Sequence, residues 1–177
     1  MKNSFQVRDI CRILPSRLDQ VQYWLRHGLA APEISGPTTR GVARRFSFKN
    51  IFELALTARM AENGVTAKQI KDVLKLIPAD FIENLETPPK PYMTIYNDLM
   101  LFHYNDGFFF ANLLKLLTQG EEARFWRGDP PPELSQKLQY VSGLEKVLMI
   151  LQHIPAVLIV NLETVRRDLY SRLERAE

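Results

Sequence analysis

Residues 16–48, SRLDQVQYWLRHGLAAPEISGPTTRGVARRFSF, cannot form one continuous helix or one continuous strand, and the rest of the chain is arranged around that constraint. Ser16 can accept from the free N–H groups of a first helical turn, so it predicts a helix start. Leu18, Val21 and Leu25 recur at i, i+3 and i+7 and predict one apolar helix face. Gly28 fits a left-handed cap, Leu29 can pack back over the last turn, and Pro32 forbids continuation. The helix must therefore be short. Gln20, Gln22, Tyr23 and Arg26 fall largely on its other faces, in a stretch almost free of acid. That surface suits the major groove of duplex DNA, where amides and Arg read base edges and Tyr reaches phosphate. A solvated polar face is the alternative.

The following segment narrows the choice. Gly36, Pro37 and Gly41, with small polar residues between, predict a turn between extended arms at 33–43. Arg40, Arg44 and Arg45 lie on or beside it. An arginine-bearing hairpin next to a groove-sized helix is the layout of a winged helix, whose wing grips phosphates without regard to sequence.

VQYWLRHGL (21–29), Pro32, RRFSFKNIFEL (44–54) and NGVTAKQIKDVL (63–74) together resemble the DNA-binding domain of MerR-family transcription regulators, over residues 5–77. The resemblance implies a winged helix-turn-helix with four helices. It also implies a homodimer that binds a palindromic promoter and distorts its spacer so that RNA polymerase engages. The family's usual Arg is Gln22 here, and its second aromatic is Trp24. Tyr23 keeps the position expected to touch phosphate. The candidate DNA-binding residues are Arg17, Gln20, Gln22, Tyr23, Arg26, Arg40, Arg44 and Arg45.

Other local signals predict the remaining helices of this region. Val7, Ile10, Cys11 and Leu14 make a helical stripe in FQVRDICRIL (5–14), which Pro15 ends. Ser47 predicts a cap for a helix over 48–63, with Ile51, Leu54, Ala55 and Ala58 inward, ending at Asn63-Gly64. Thr66 predicts a cap for a helix over 67–77, with Ile70, Val73, Leu74 and Ile77 inward. Lys68, Lys71 and Lys75 read as a solvated face, with phosphate contact as the alternative.

Charge divides the chain in the same place. Residues 1–77 hold 13 Lys+Arg against 6 Asp+Glu, a net +7, and residues 78–177 hold 10 against 14, a net −4. A basic half joined to an acidic half implies that the first half meets a polyanion. Pro78 and ETPPKP (86–91) predict a linker over 78–91. These prolines also forbid the long dimerising helix that follows the fourth helix in typical MerR proteins.

The region 92–177 reads as a small α+β domain for effector binding or dimerisation, in a chain that is mainly α overall. YMTIYND (92–98) and LMLFHYND (99–106) have strand composition, and Asn105-Asp106-Gly107 signals a hairpin. FFFANLLKLLTQG (108–120) predicts a strand running into a helix, 120–133 a loop, and 133–152 a helix and then a strand. Pro155 starts a buried strand, AVLIVNL. Asn161 predicts a cap for a last helix over 162–175 that places Leu162, Val165, Leu169 and Leu173 on one face. Tyr92, Tyr96, Phe102, Tyr104, Phe108, Phe109, Phe110 and Trp126 read as core, with the pocket of an unidentified small-molecule effector as the alternative.

No Walker loop, G-x-S-x-G, paired-His spacing or dinucleotide fingerprint occurs, so no enzyme activity, cofactor or metal is expected. His27, His103 and His153 stand isolated. Cys11 excludes an internal disulfide, reads as core, and fits a reducing cytosol. MKNSFQVRDI has no apolar h-region, and VLMILQHIPAVLIV (147–160) is too short and too interrupted to span a bilayer. The expected setting is the cytoplasm, away from membranes. The competing functional reading is a protein-interaction adaptor whose basic head binds an acidic protein.

Overall fold

The computed structural model describes residues 4–14, 16–32, 44–75, 77, 79–87, 99–104, 107–112, 124–125 and 158–176. The elements are α1 (Val7–Ile13), α2 (Leu18–Arg26), α3 (Phe48–Glu62), α4 (Ala67–Lys75), α5 (Ala79–Glu83), β1 (Leu99–Tyr104), β2 (Gly107–Asn112), β3 (Arg124–Phe125), β4 (Leu158–Asn161) and α6 (Leu162–Ala176). The described residues are mostly helical. They divide into two compact units, Met1–Pro88 with Val165–Glu177, and Pro89–Thr164.

In the first unit, capping chemistry sets most helix ends. Ser47 Oγ accepts from the Asn50 N–H at 3.2 Å, and Asn50 Oδ1 accepts from the Ser47 N–H at 3.2 Å. Thr66 and Gln69 make the same reciprocal pair at the start of α4, at 3.4 and 3.0 Å. At the C-terminal end of α2, Gly28 has φ +68°, its N–H donates to Leu25 and that of Leu29 to Trp24. Gly64, with φ +80°, ends α3 the same way, through bonds from Gly64 to Ala61 and from Val65 to Met60.

Replacing either glycine by alanine should cost about 1–2 kcal/mol, because an L side chain is strained at these angles. A Cβ on Gly28 would also stand 3.3 Å from the Lys71 ammonium nitrogen, whereas one on Gly64 meets nothing within 4 Å. Gly28→Ala should therefore lower the urea midpoint by at least as much as Gly64→Ala, at unchanged slope.

The apolar face of α2 differs from the expected one. Val21 and Trp24 are buried, Leu25 is half-buried, and Leu18 is 51% exposed. Val21 and Trp24, three residues apart, take the centre of the buried face, and Leu18 and Leu25 fall on its flank. The start also shifts by one residue. Arg17, not Ser16, is the N-cap residue, and its N–H donates to Gln20 Oε1 at 3.1 Å.

Helix α3 is buried nearly all round. Phe48, Ile51, Phe52, Leu54, Ala55, Leu56, Ala58 and Met60 are each at most 9% exposed, which requires cover on more than one side. Part of that cover is α6. Its Tyr170 ring lies 4.9 Å from Phe48, and Asp168 pairs with Arg59 at 3.4 Å. The Arg166 guanidinium donates to the Asn84 carbonyl at 2.8 Å, and the Tyr170 hydroxyl to the Leu85 carbonyl at 3.3 Å. Phe52 meets Phe81 of α5 at 5.5 Å. The last helix, expected with the C-terminal strands, therefore packs largely within the first unit. Residues 79–87, expected as linker, carry α5 and the fully buried Leu85.

In the second unit, one antiparallel sheet runs in the order β3-β2-β1-β4. Tyr104 pairs with Gly107, the register that a two-residue hairpin connection requires. β3 lies within the stretch expected as loop. β4, Leu158–Asn161, lies within the expected strand after Pro155, and Asn161 Oδ1 accepts from the Thr164 N–H at 2.9 Å, the expected cap. The expected strand at 92–98 and the helix and strand at 133–152 lie outside the described residues, as do Tyr92, Tyr96 and Trp126.

Candidate nucleic-acid interface

Helices α1 and α2 are joined by a short turn, in which the Ser16 N–H donates to the Leu14 carbonyl at 2.6 Å. Ile10, Ile13 and Leu14 of the first arm are buried, as are Val21 and Trp24 of the second. Two helices with one shared apolar side and so short a turn make a helix-turn-helix. The second helix is then held by its inner face and presents the outer one.

That outer face carries Arg17, Gln20, Gln22, Tyr23, Arg26 and His27, all exposed. The side chains are not equally disposed. Tyr23 is 46% exposed, and its ring stacks on that of His27, with centroids 4.2 Å apart at 49°. The i, i+4 spacing brings these two rings together on one helix side. Arg26 Nε donates to the Gln22 carbonyl at 3.3 Å, so its stem lies along the helix. Gln20 spends its side-chain oxygen on the Arg17 N–H.

Arg17 is the main departure. Its Nε and Nη2 donate to the two carboxylate oxygens of Asp19, at 3.1 and 2.7 Å. That hydrogen bonding holds the Asp19 carboxyl below the usual carboxylate range. Asp19 is an acid on a face expected to be almost free of acid, and its signal in the sequence was the Arg-Leu-Asp spacing. His27 is the other addition. Expected as isolated, it is placed by helical spacing against Tyr23.

The wing segment 33–43, with Arg40, lies outside the described residues. Its return is fixed. Phe5 and Phe46 exchange both backbone hydrogen bonds at 2.9 Å, and both side chains are buried. This bridge anchors the chain directly after Arg44 and Arg45, which are exposed. Arg45 Nη1 donates to Ser4 Oγ at 3.0 Å. On α4, Lys68, Lys71 and Lys75 are exposed, and Lys75 pairs with Asp72 at 3.3 Å.

Cys11, expected in the core, is only half-buried, and that burial pushes its thiol up from the ordinary value. Among the described residues, no group of three His, Cys, Asp or Glu side chains is placed to hold a metal, and no helix is long and apolar enough to cross a membrane.

A search among curated proteins found no match to this chain. Residues 5–77, which cover α1 to α4, match the family model of the MerR HTH family regulatory protein. The match spans less than half of the chain, and it makes this segment similar to the N-terminal helix-turn-helix domain of MerR-family regulators.

Proposed function

We propose that the chain is a sequence-specific DNA-binding transcription regulator and not an enzyme. The observation that carries this reading is the disposition of α2. Val21 and Trp24 anchor it, while Gln22, Tyr23 and Arg26 stand exposed on its outer side. Gln22 and Arg26 are the base readers of this reading, since an amide and a guanidinium match base edges. Tyr23, held by His27, and the wing arginines Arg40, Arg44 and Arg45 take phosphates. Arg17 joins them once it leaves Asp19. The family match supports binding as a homodimer on a palindromic promoter, with distortion of the spacer and indirect engagement of RNA polymerase. An effector acting on the second unit belongs to the same reading.

The test is footprinting and fluorescence anisotropy on duplex DNA from upstream of the chain's own gene. The expected result is one protected site with duplex preference and a steep salt dependence. Equal binding to any polyanion without a footprint would sink the proposal and promote the adaptor reading, in which the basic head holds an acidic protein.

Asp19 offers a second check with the opposite sign from most substitutions. A carboxylate on the groove-facing side repels phosphate and occupies Arg17. Asp19→Asn should tighten duplex binding about three- to tenfold at low salt, with the gain fading as salt screens the charges. An anisotropy titration at two salt concentrations measures it.

A further inference from the structure

We infer that Arg172, in the last helix, is a positioning residue for the reading head. The inference rests on the DNA-binding reading above, because it concerns how α2 is presented. Ile13 is the final residue of α1, and its carbonyl is among those a helix leaves without an intrahelical partner. Arg172 Nη1 donates to that carbonyl at 3.2 Å, across 159 positions of sequence. A cation at a helix C-terminus is also favoured by the helix dipole.

The location gives the bond its reach. Ile13 stands directly before the turn of the helix-turn-helix, and Leu14 is buried beside it. Arg172, Leu14, Arg59 and Asp168 border one small cleft of about 80 Å³, so the guanidinium sits among α1, α3 and α6. Asp168 is engaged by Arg59 one turn earlier in α6. Only a short turn separates Ile13 from α2, so a shift at the end of α1 passes directly to the start of the reading helix.

The same helix is continuous with the second unit. β4 pairs with β1 and ends at Asn161, whose side chain caps α6.

The experiment uses the full chain, with Arg172→Met to keep the stem and remove the donor, Arg172→Lys to restore a cationic donor, and Arg175→Met as control. Arg175 is exposed, and its Nε donates to the Ser171 carbonyl of its own helix at 3.1 Å. Amide hydrogen exchange is followed at Leu14, Ser16 and Arg17, and duplex affinity across a salt series. Arg172→Met should exchange faster at these amides and bind DNA about fivefold more weakly, the low end of measured site-to-site coupling. Its salt slope should be unchanged, and Arg172→Lys should recover most of both losses.

Wild-type behaviour of Arg172→Met in both readouts would overturn the inference. So would a salt slope shallower by about one, which marks a lost phosphate contact instead of lost positioning. Failure of Arg172→Lys to recover would reduce the role to packing. If the wild-type chain ignores DNA, the proposed function fails by itself, and the exchange measurement still decides whether Arg172 holds the turn.

Discussion

Replacing Arg40, Arg44 and Arg45 together by alanine should weaken duplex binding about a hundredfold at low salt and flatten the salt slope by about three. The slope is the sharper readout, because each lost phosphate contact removes close to one released counterion. Arg44 and Arg45 are exposed, and the Phe5–Phe46 bridge fixes the backbone immediately after them. Their direction from the domain is thus set by two backbone hydrogen bonds. The substitutions should leave the thermal midpoint within about a degree or two, since exposed charges away from packing rarely matter to stability. Gln22→Ala should do the reverse. On the proposed reading it removes an amide that meets base edges, so discrimination between operator and random duplex should fall while the slope stays nearly constant. An unchanged slope in the triple variant would show that the wing does not meet phosphate.

The parts of this fold that the sequence revealed are those that local chemistry sets. Ser47, Thr66 and Asn161 cap the helices they precede because a side-chain oxygen reaches an amide three residues on. Gly28 and Gly64 end helices because only glycine takes their φ freely. The candidate residues of α2 are exposed for a related reason, since polar groups spaced off the apolar face have nowhere to be buried. Local spacing failed where two faces competed. Leu18 and Trp24 both lie near Val21 on the helical wheel, and tertiary cover alone decides that Trp24 goes inside. The Arg17–Asp19 pair is legible in the Arg-Leu-Asp spacing but not in composition, where one acid among many polar groups carries little weight. The return of α6 was not local at all. Its bonds to Ile13, Arg59, Asn84 and Leu85 join residues more than 80 positions apart. Its one indirect trace is α3, FKNIFELALTARMAE, which is apolar on too many sides to be covered from one.

That return predicts the largest stability effect in the molecule. A fragment of residues 1–88, or the shorter 1–77 that ends where the family match ends, should not fold cooperatively alone. Val165, Leu169 and Leu173 are each at most 6% exposed within the first unit. Burying such side chains is worth roughly 1.5–3 kcal/mol apiece, so the three contribute about 4.5–9 kcal/mol. A whole domain is stable by only about 5–15 kcal/mol. Tyr170 adds its contact with Phe48, and the Asn84 and Leu85 carbonyls would lose their donors from α6. The loss therefore matches the stability available, and the fragment should lack a cooperative thermal transition by near-UV circular dichroism. A separate peptide of residues 162–177 should restore the transition only at high concentration. Tethering is lost in that arrangement, and a 15-residue helix is marginal alone in water. A cooperative melt of residues 1–88 within a few degrees of the full chain would mean that α6 covers the domain without holding it together.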